Sequence, residues 1–262
     1  MIIKLNDDEK IDLSDPLKIS IEIDFNGSQP NTYDVAKAKA EAYKAGSFIG
    51  DIRKGGSCNF ESYSIIPHCN GTHTECCGHI TYERIYVNQL FNLILFKAYL
   101  ITVNPVKYES QINESYNPDL KPRDFLITSG MIPENFSADG LVIRTTPNYK
   151  SKLNRRYSDT GFPFFTNEAM KKIVTSGIKH LLVDMPSVDR MFDEGKLSNH
   201  HIYWDVNKNN EVIDKISKKT ISEMIYVDDF IEDGYYYCSI QIPDWKGDAA
   251  PSRIFLYKIL NN

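Results

Sequence analysis

Ile19, Ile21 and Ile23 alternate with Ser20 and Glu22, the period of two expected of a strand buried on one face. The runs at residues 94–103, 124–128 and 141–145 are apolar or β-branched and have the length of strands, and Asn104-Pro105 ends the first of them. Residues 47–52 and 59–66 read as extended, with a turn marked between them by Gly55 and Gly56. Residues 33–45 carry the spacing of a short helix. The clearest helix runs from residue 167 to about 176, with Thr166 placed to cap its start and Gly177 where a C-terminal cap glycine belongs. A buried strand follows at 180–183, and three more read well at 221–227, 235–242 and 253–259. A helix–glycine–strand unit among so many strands predicts an α/β fold, a mixed sheet with helices packed on it. No linker divides the chain, so residues 1–262 are expected to form a single domain.

Composition changes this picture little. A chain of 262 residues that is 42% hydrophobic and 25% charged buries a core without disulfide staples. Its net charge of -5 argues against non-specific binding to nucleic acid or anionic membrane, both of which need a basic surface. The most apolar stretch, LFNLILFKAYLITV at 90–103, is interrupted by Asn92 and Lys97 and is too short to span a bilayer. The start, MIIKLNDDEK, has no apolar core of a signal peptide, so a cytoplasmic location is expected. Cys58, Cys69, Cys76, Cys77 and Cys238 are odd in number and read as free thiols of a reducing compartment.

The candidate chemistry is concentrated at residues 67–79, PHCNGTHTECCGH. His68, His73 and His79, Cys69, Cys76 and Cys77, and Glu75 supply imidazole, thiolate and carboxylate together, a donor set suited to Zn²⁺ or a neighbouring divalent metal. Odd positions share one face of an extended segment, and 69 with 73 and 75 with 79 are i,i+4 pairs in a helical turn. Either geometry lets Cys69, His73, Glu75 and His79 meet while His68 points elsewhere, with Gly71-Thr72 as a tight turn between them. Cys76 and Cys77 read as small buried packing residues. Glu223 stands among Ile221, Met224 and Ile225, and an acidic side chain in an apolar strand calls for a ligand or ion-pair role. The pair His200-His201 is open to either a surface or a ligand reading. His180 reads as structural, and Asp184 and Asp189 as loop and cap residues. Gly55-Gly56-Ser57 is not a phosphate loop, since no lysine follows at the required spacing, and Ser187 lacks the setting of a nucleophile elbow.

The segment resembles the signature of the cyclase/bacterial kynurenine formamidase family, His-x-Gly-Thr-His-x-Asp-x-Pro-x-His. Alignment on Gly71-Thr72-His73 sets Cys69 at the first histidine, Glu75 at the aspartate, Cys77 at the proline and His79 at the last histidine. LLVDMPSVD is similar to the family's Gly-x-Asp-x-x-Ser-x-Asp stretch, SNHHIYW sets His200 at a metal-binding histidine, ISEMIYV sets Glu223 at a metal-binding glutamate, and GDAAPSR is similar to the C-terminal segment.

The resemblance implies a swivelling β/β/α fold, a homo-oligomer and a metal-dependent amide hydrolase of the arylformamidase type, an activity of tryptophan catabolism. It implies that Cys69, His73, Glu75, His200 and Glu223 hold one or two ions of zinc, manganese or another divalent metal, with Glu75 able to bridge. His68 fills the first position instead of Cys69 if the loop is shifted by one residue. The metal is expected to acidify water and polarise a carbonyl, and His79 to shuttle the proton. The aromatic-rich chain suits a small aromatic substrate. Two other readings stay open: a cyclic amide or lactone hydrolase on the same site, and a non-catalytic metal or thiol sensor. The spacing further predicts that Cys69→Ser weakens metal binding more than His68→Ala.

Overall fold

The computed structural model describes residues 1–90, 95–109 and 111–261. Its framework is a nine-stranded mixed sheet. In chain order the strands are β1 (Leu17–Lys18), β2 (His73–Glu75), β3 (Phe96–Val103), β4 (Gly140–Thr145), β5 (His180–Val183), β6 (Thr220–Glu223), β7 (Gly234–Gln241), β8 (Ala249–Pro251) and β9 (Arg253–Lys258). They lie side by side as β8-β2-β6-β5-β4-β3-β7-β9-β1. The central four, β3 to β6, run parallel. The flanking strands are antiparallel: β2 and β8 on one side, β7, β9 and β1 on the other.

The central strands are apolar on both faces, as a sheet covered on both sides requires. In β4, Leu141 and Ile143 join one core cluster while Val142 between them joins the other. The first cluster is covered by helices α2 (Asn167–Thr175) and α3 (Ser198–Trp204), which contribute Ala169, Met170, Ile173, Tyr203 and Trp204. The second is closed by the sheet's own curl, which brings Tyr236, Cys238 and Ile240 of β7 and Ile254 and Leu256 of β9 over Ala98, Leu100 and Leu182. The start of α2 follows the sequence reading: Thr166 Oγ1 accepts the Ala169 N–H at 3.1 Å, and Gly177 takes φ 77° just beyond the end.

Three expectations are corrected. Residues 33–45 form no helix: Tyr33 and Asp34 take left-handed φ values of 55° and 53°, and the rest enters extended ladders at Lys39–Ala42 and Lys44–Ala45. The ladder at Lys39–Ala42 exposes Lys39 and Glu41 and half-buries Ala40 and Ala42, a period of two. It pairs with Glu61–Ser64 to form an arm. Residues 19–23 form no strand of their own: Ile19 bonds Ile254 and Tyr226 and Ser20 bridges Ile225, but the pairing stops there, because the Ile21 N–H goes to the Thr72 hydroxyl instead of a neighbouring strand. Strand β6 stops at Glu223 rather than 227, since Met224 takes a left-handed φ of 51°. The strand expected at 94–103 is observed as Phe96–Val103; Ile94 lies outside the described residues.

Candidate metal centre

The cluster is built where β2 is inserted between β6 and the edge strand β8. Residues Pro67–Asn70 form one helical turn, α1, with proline at its first position, where a missing N–H costs nothing. The Asn70 side chain accepts the Ile66 N–H at 2.7 Å and closes the turn. Gly71 is extended, not the tight turn expected, and a Cβ there would come within 3.1 Å of Ile23. Thr72 is the fastener: its hydroxyl accepts the Ile21 N–H and donates to the Met224 carbonyl, next to Glu223.

The pleat of β2 then aims His73 and Glu75 to one face and Thr74 to the other. Thr74 Oγ1 meets Ser222 Oγ and Ser252 Oγ, each at 2.7 Å. The register sets Glu223 of β6 opposite His73, and Ala249 of β8 opposite Glu75. His79 ends a short 3-10 turn, Cys77–His79, whose Gly78 backs onto the Ile85 carbonyl so closely that a Cβ would stand 2.0 Å from it. His200 comes from α3.

Four imidazoles and two buried carboxylates thereby converge. His73 Nε2 is 3.4 Å from Glu223 Oε2, and His200 Nε2 is 3.2 Å from Glu75 Oε1. His68 Nδ1 is 3.1 Å and His79 Nε2 3.9 Å from Glu75 Oε2. Two sets among the described residues bring candidate ligand atoms within 4.8 Å of one another: His73, Glu75 and Glu223, and His68, Glu75 and His79. Glu75 belongs to both.

Outer partners fix the rings. His73 Nδ1 faces the Gly71 carbonyl at 3.0 Å, and His200 Nδ1 faces Asp189 at 2.6 Å. His68 Nε2 faces Asp248 at 2.8 Å. A histidine held by one nitrogen in this way presents the other to a metal. The donor set fits a divalent cation on a further observation: His73 Nε2 and Glu75 Oε2 are buried and make no hydrogen bond, despite lying within ion-pair distance of neighbours. Native proteins rarely leave such atoms unpaired without a ligand to take them.

The electrostatics separate the two carboxyls. Burial would push Glu75 up, but the imidazoles of His79, His200 and His68 outweigh it and hold the group well below the usual carboxylate range. Glu223 is shifted up, by burial and then by the Glu75 charge, against the pull of His73 and His200. Burial opposes charge on His200, yet Asp189 and Glu75 raise it well above an ordinary imidazole. His68 behaves likewise: Asp248 and Glu75 overcome burial and raise it to about 10. Burial, with Glu223 adding to it, pushes the Cys69 thiol up to about 11.

Of the residues singled out in the sequence, His73, Glu75, His79, His200 and Glu223 come together. Cys69 is buried near Glu223 but belongs to neither convergent set. His68, expected to point elsewhere, faces Glu75 directly. The reason is local. Residues 67–70 are a helical turn, so the odd–even rule holds only within β2, for His73 and Glu75. Cys76 and Cys77 are buried, with their Sγ atoms 3.6 Å from the Ile85 and Ser217 carbonyls. All five cysteines are free thiols.

Three further residues were given no part in the site by the sequence reading. Asp189, read as a cap, orients His200. Asp248 contacts two histidines. Tyr33 is pushed up by burial and by the charges of Glu223 and Asp193, and stands edge-on to the exposed Phe192 with ring centroids 6.4 Å apart. The sequence signals for this neighbourhood were the histidine density, the apolar setting of Glu223 and the family-like blocks that contain Asp189 and Asp248.

Comparison with known proteins agrees with this architecture. Residues 11–190 match the model of a cyclase family described as "Putative cyclase". No curated protein matches the chain. Among solved structures, a predicted metal-dependent hydrolase from Bacillus stearothermophilus superposes with a TM-score of 0.58 at 17% identity, covering 93% of this chain and 98% of that one. An isatin hydrolase bound to the product analogue thioisatinate gives a TM-score of 0.59 at 12% identity over 95% of this chain and 93% of that one. Isatin hydrolase A from Labrenzia aggregata, bound to benzyl benzoate, gives 0.56 at 13% identity and 93% coverage of each chain. At these identities the likeness concerns the fold. No described helix is long and apolar enough to cross a membrane.

Proposed function

The chain belongs to the cyclase family, and on that premise we propose that it is a metal-dependent hydrolase that cleaves the amide C–N bond of a small aromatic substrate. The observation that carries the reading is the convergence of His73, Glu75, Glu223 and His200 around the unsatisfied atoms His73 Nε2 and Glu75 Oε2. These four residues would hold a divalent cation, zinc first and manganese next, with His68 ahead of Cys69 as the further ligand and Glu75 able to bridge a second ion. A cation there supplies Lewis acidity, which polarises a carbonyl and makes water acidic enough to attack it near neutral pH.

The chain's own groups do the rest. His79 is the proton carrier: its side chain is 29% exposed, unlike that of His73 or His200, and its Nε2 faces the cluster. Nε2 takes a proton from the attacking water and returns it to the nitrogen that leaves as the C–N bond breaks. Asp189 holds His200 in position through Nδ1. Tyr33, near enough to Glu223 to feel its charge, and Phe192 edge-on to it would offer aromatic surface to a planar substrate ring.

An arylformamide substrate would tie the chain to tryptophan catabolism. A cyclic amide is the second reading, favoured by the isatin hydrolases among the structures of like fold. The burial of Cys69, Cys76 and Cys77 argues against a thiol sensor. Elemental analysis of the purified protein, followed by hydrolysis assays on formyl-anilides, lactams and lactones, tests the proposal. One or two divalent ions per chain with turnover of an amide is the expected result. A metal-free protein, or a metal-loaded one inert on the whole panel, overturns it.

A further inference from the structure

One carboxylate beside the cluster has no part in the proposed hydrolysis. Asp248 directly precedes β8, and its side chain is 42% exposed, against 1% for Glu75. Its Oδ2 lies 2.8 Å from His68 Nε2 and 3.4 Å from His79 Nδ1. The opposite nitrogen of each ring faces Glu75 Oε2: His68 Nδ1 at 3.1 Å and His79 Nε2 at 3.9 Å. The two rings lie side by side with centroids 4.2 Å apart and planes 31° from parallel. Each imidazole is thus held between the same two carboxylates, one buried and one reaching solvent.

The backbone fixes Asp248 where it is. The Cys76 N–H donates to the Asp248 carbonyl at 3.0 Å, and the next residue, Ala249, pairs with Glu75 in the β8–β2 ladder. The carboxylate therefore arrives with the edge strand rather than by a side-chain swing. Flipping an imidazole ring exchanges nitrogens for carbons with almost no change of shape, so packing alone sets poorly which atoms face inward. A carboxylate on one nitrogen decides it and makes the other a better donor.

We infer that Asp248 is a positioning residue for the proposed metal cluster: by holding Nε2 of His68 and Nδ1 of His79, it turns His68 Nδ1 and His79 Nε2 toward Glu75. The inference rests on the metal-dependent reading. Asp248 lies outside the residues that match the family model, and it touches neither Glu75 nor Glu223 among the described contacts.

The test uses the full chain, stripped of metal and titrated with Zn²⁺ against a chromophoric chelator, with Co²⁺ absorption as a probe of ligand geometry. Asp248→Ala is expected to bind Zn²⁺ about 10–100-fold more weakly and to change the Co²⁺ spectrum. Asp248→Glu, which keeps the carboxylate, is expected to recover most of both. Asp248→Asn gives the same reading as Ala, with shape retained, should the smaller side chain unfold the edge. Wild-type affinity and an unchanged Co²⁺ spectrum in Asp248→Ala overturn the inference, and so does a loss of affinity with an unchanged spectrum, which would reflect charge alone. A wild-type chain that binds neither ion overturns the inference and the metal reading together, whereas a metal-binding wild type with an indifferent Asp248 overturns only the inference.

Discussion

Oδ2 of Asp189 sits 2.6 Å from Nδ1 of His200, and the far side of the same ring meets Glu75 at 3.2 Å. The carboxylate is itself pinned: Tyr116 donates its hydroxyl at 2.8 Å, the Asn199 N–H donates at 2.9 Å and the His200 N–H at 3.2 Å. A side chain with so many anchors cannot drift, and neither can the ring it holds. Asp189→Asn should therefore weaken Zn²⁺ binding about 10–100-fold while leaving the metal-free fold intact. Chelator competition measures the first and circular dichroism the second; unchanged affinity would count against an orienting role.

The two claimants to the first ligand position are separable. His68 faces Glu75, and Cys69 stands apart as a neutral thiol raised to about 11. His68→Ala should cost more Zn²⁺ affinity than Cys69→Ser, the reverse of what the spacing predicts. Should Cys69→Ser prove the worse of the two, or should chelation unmask Cys69 to alkylation, the thiolate is the ligand after all.

His79→Ala should keep its metal and lose hydrolysis by about 10²-fold or more, as expected when a proton carrier is removed. The measurement is kcat on the best substrate of the panel, alongside metal content. Full activity in this variant would remove His79 from the mechanism.

Much of this site was legible in the sequence, and the failures are instructive. The density of His and Cys in 67–79 located it, and the apolar neighbours of Glu223 marked a buried acid correctly. The odd–even rule failed at His68, which faces Glu75, because a single helical turn precedes β2, and a turn of four residues leaves no periodicity to detect. Asp189 and Asp248 were assigned no contact with the histidines, because those contacts depend on strand order and on the loop that leads from β5 to α3, neither of which local pattern encodes. The helix expected at 33–45 failed for a similar reason: Asp34 is tied to Arg156 at 2.6 Å and to Ser158, far along the chain. Within the central sheet the apolar runs sufficed, since strands buried on both faces need only hydrophobicity.

His180 makes acid stability measurable. Burial lowers its imidazole to about 4, with Asp139 opposing and Lys179 assisting, and it stacks on Phe96 and bonds Thr220 Oγ1 at 2.9 Å. An unfolded histidine titrates near 6.5. Between those values the unfolded chain binds the extra proton, so stability is complete above about 6.5 and falls as pH drops toward 4. The loss is on the order of 3 kcal/mol. Urea melts of wild type and His180→Gln at pH 7 and 4.5 should show a smaller acid loss in the variant. Equal losses would mean that His180 is protonated in the fold.

The arm formed by Lys39–Ala42 and Glu61–Ser64 leaves Tyr43 and Phe60 45% and 53% exposed, their rings 5.3 Å apart. Exposed aromatics grouped in this way suit an interface. Light scattering at micromolar concentration should give a mass above the 30.1 kDa of one chain, and Tyr43→Ser with Phe60→Ser should lower it. A monomeric wild type would count against the homo-oligomer that the family resemblance implies.

The pairing of β2 with β6 joins distant stretches of chain: Thr74 and Ser222, whose hydroxyls touch, are 148 residues apart. At synthesis rates of about 5–20 residues per second, β2 waits on the order of ten seconds for its neighbour. Through that interval the nascent segment offers imidazoles and thiols, with Glu75 as the one carboxylate within residues 67–79 and Glu223 not yet made. Such a set favours soft ions. The two-carboxylate character of the finished cluster arises only when β6 docks and sets Glu223 opposite His73, so the order in which the chain emerges is also the order in which the candidate donors assemble.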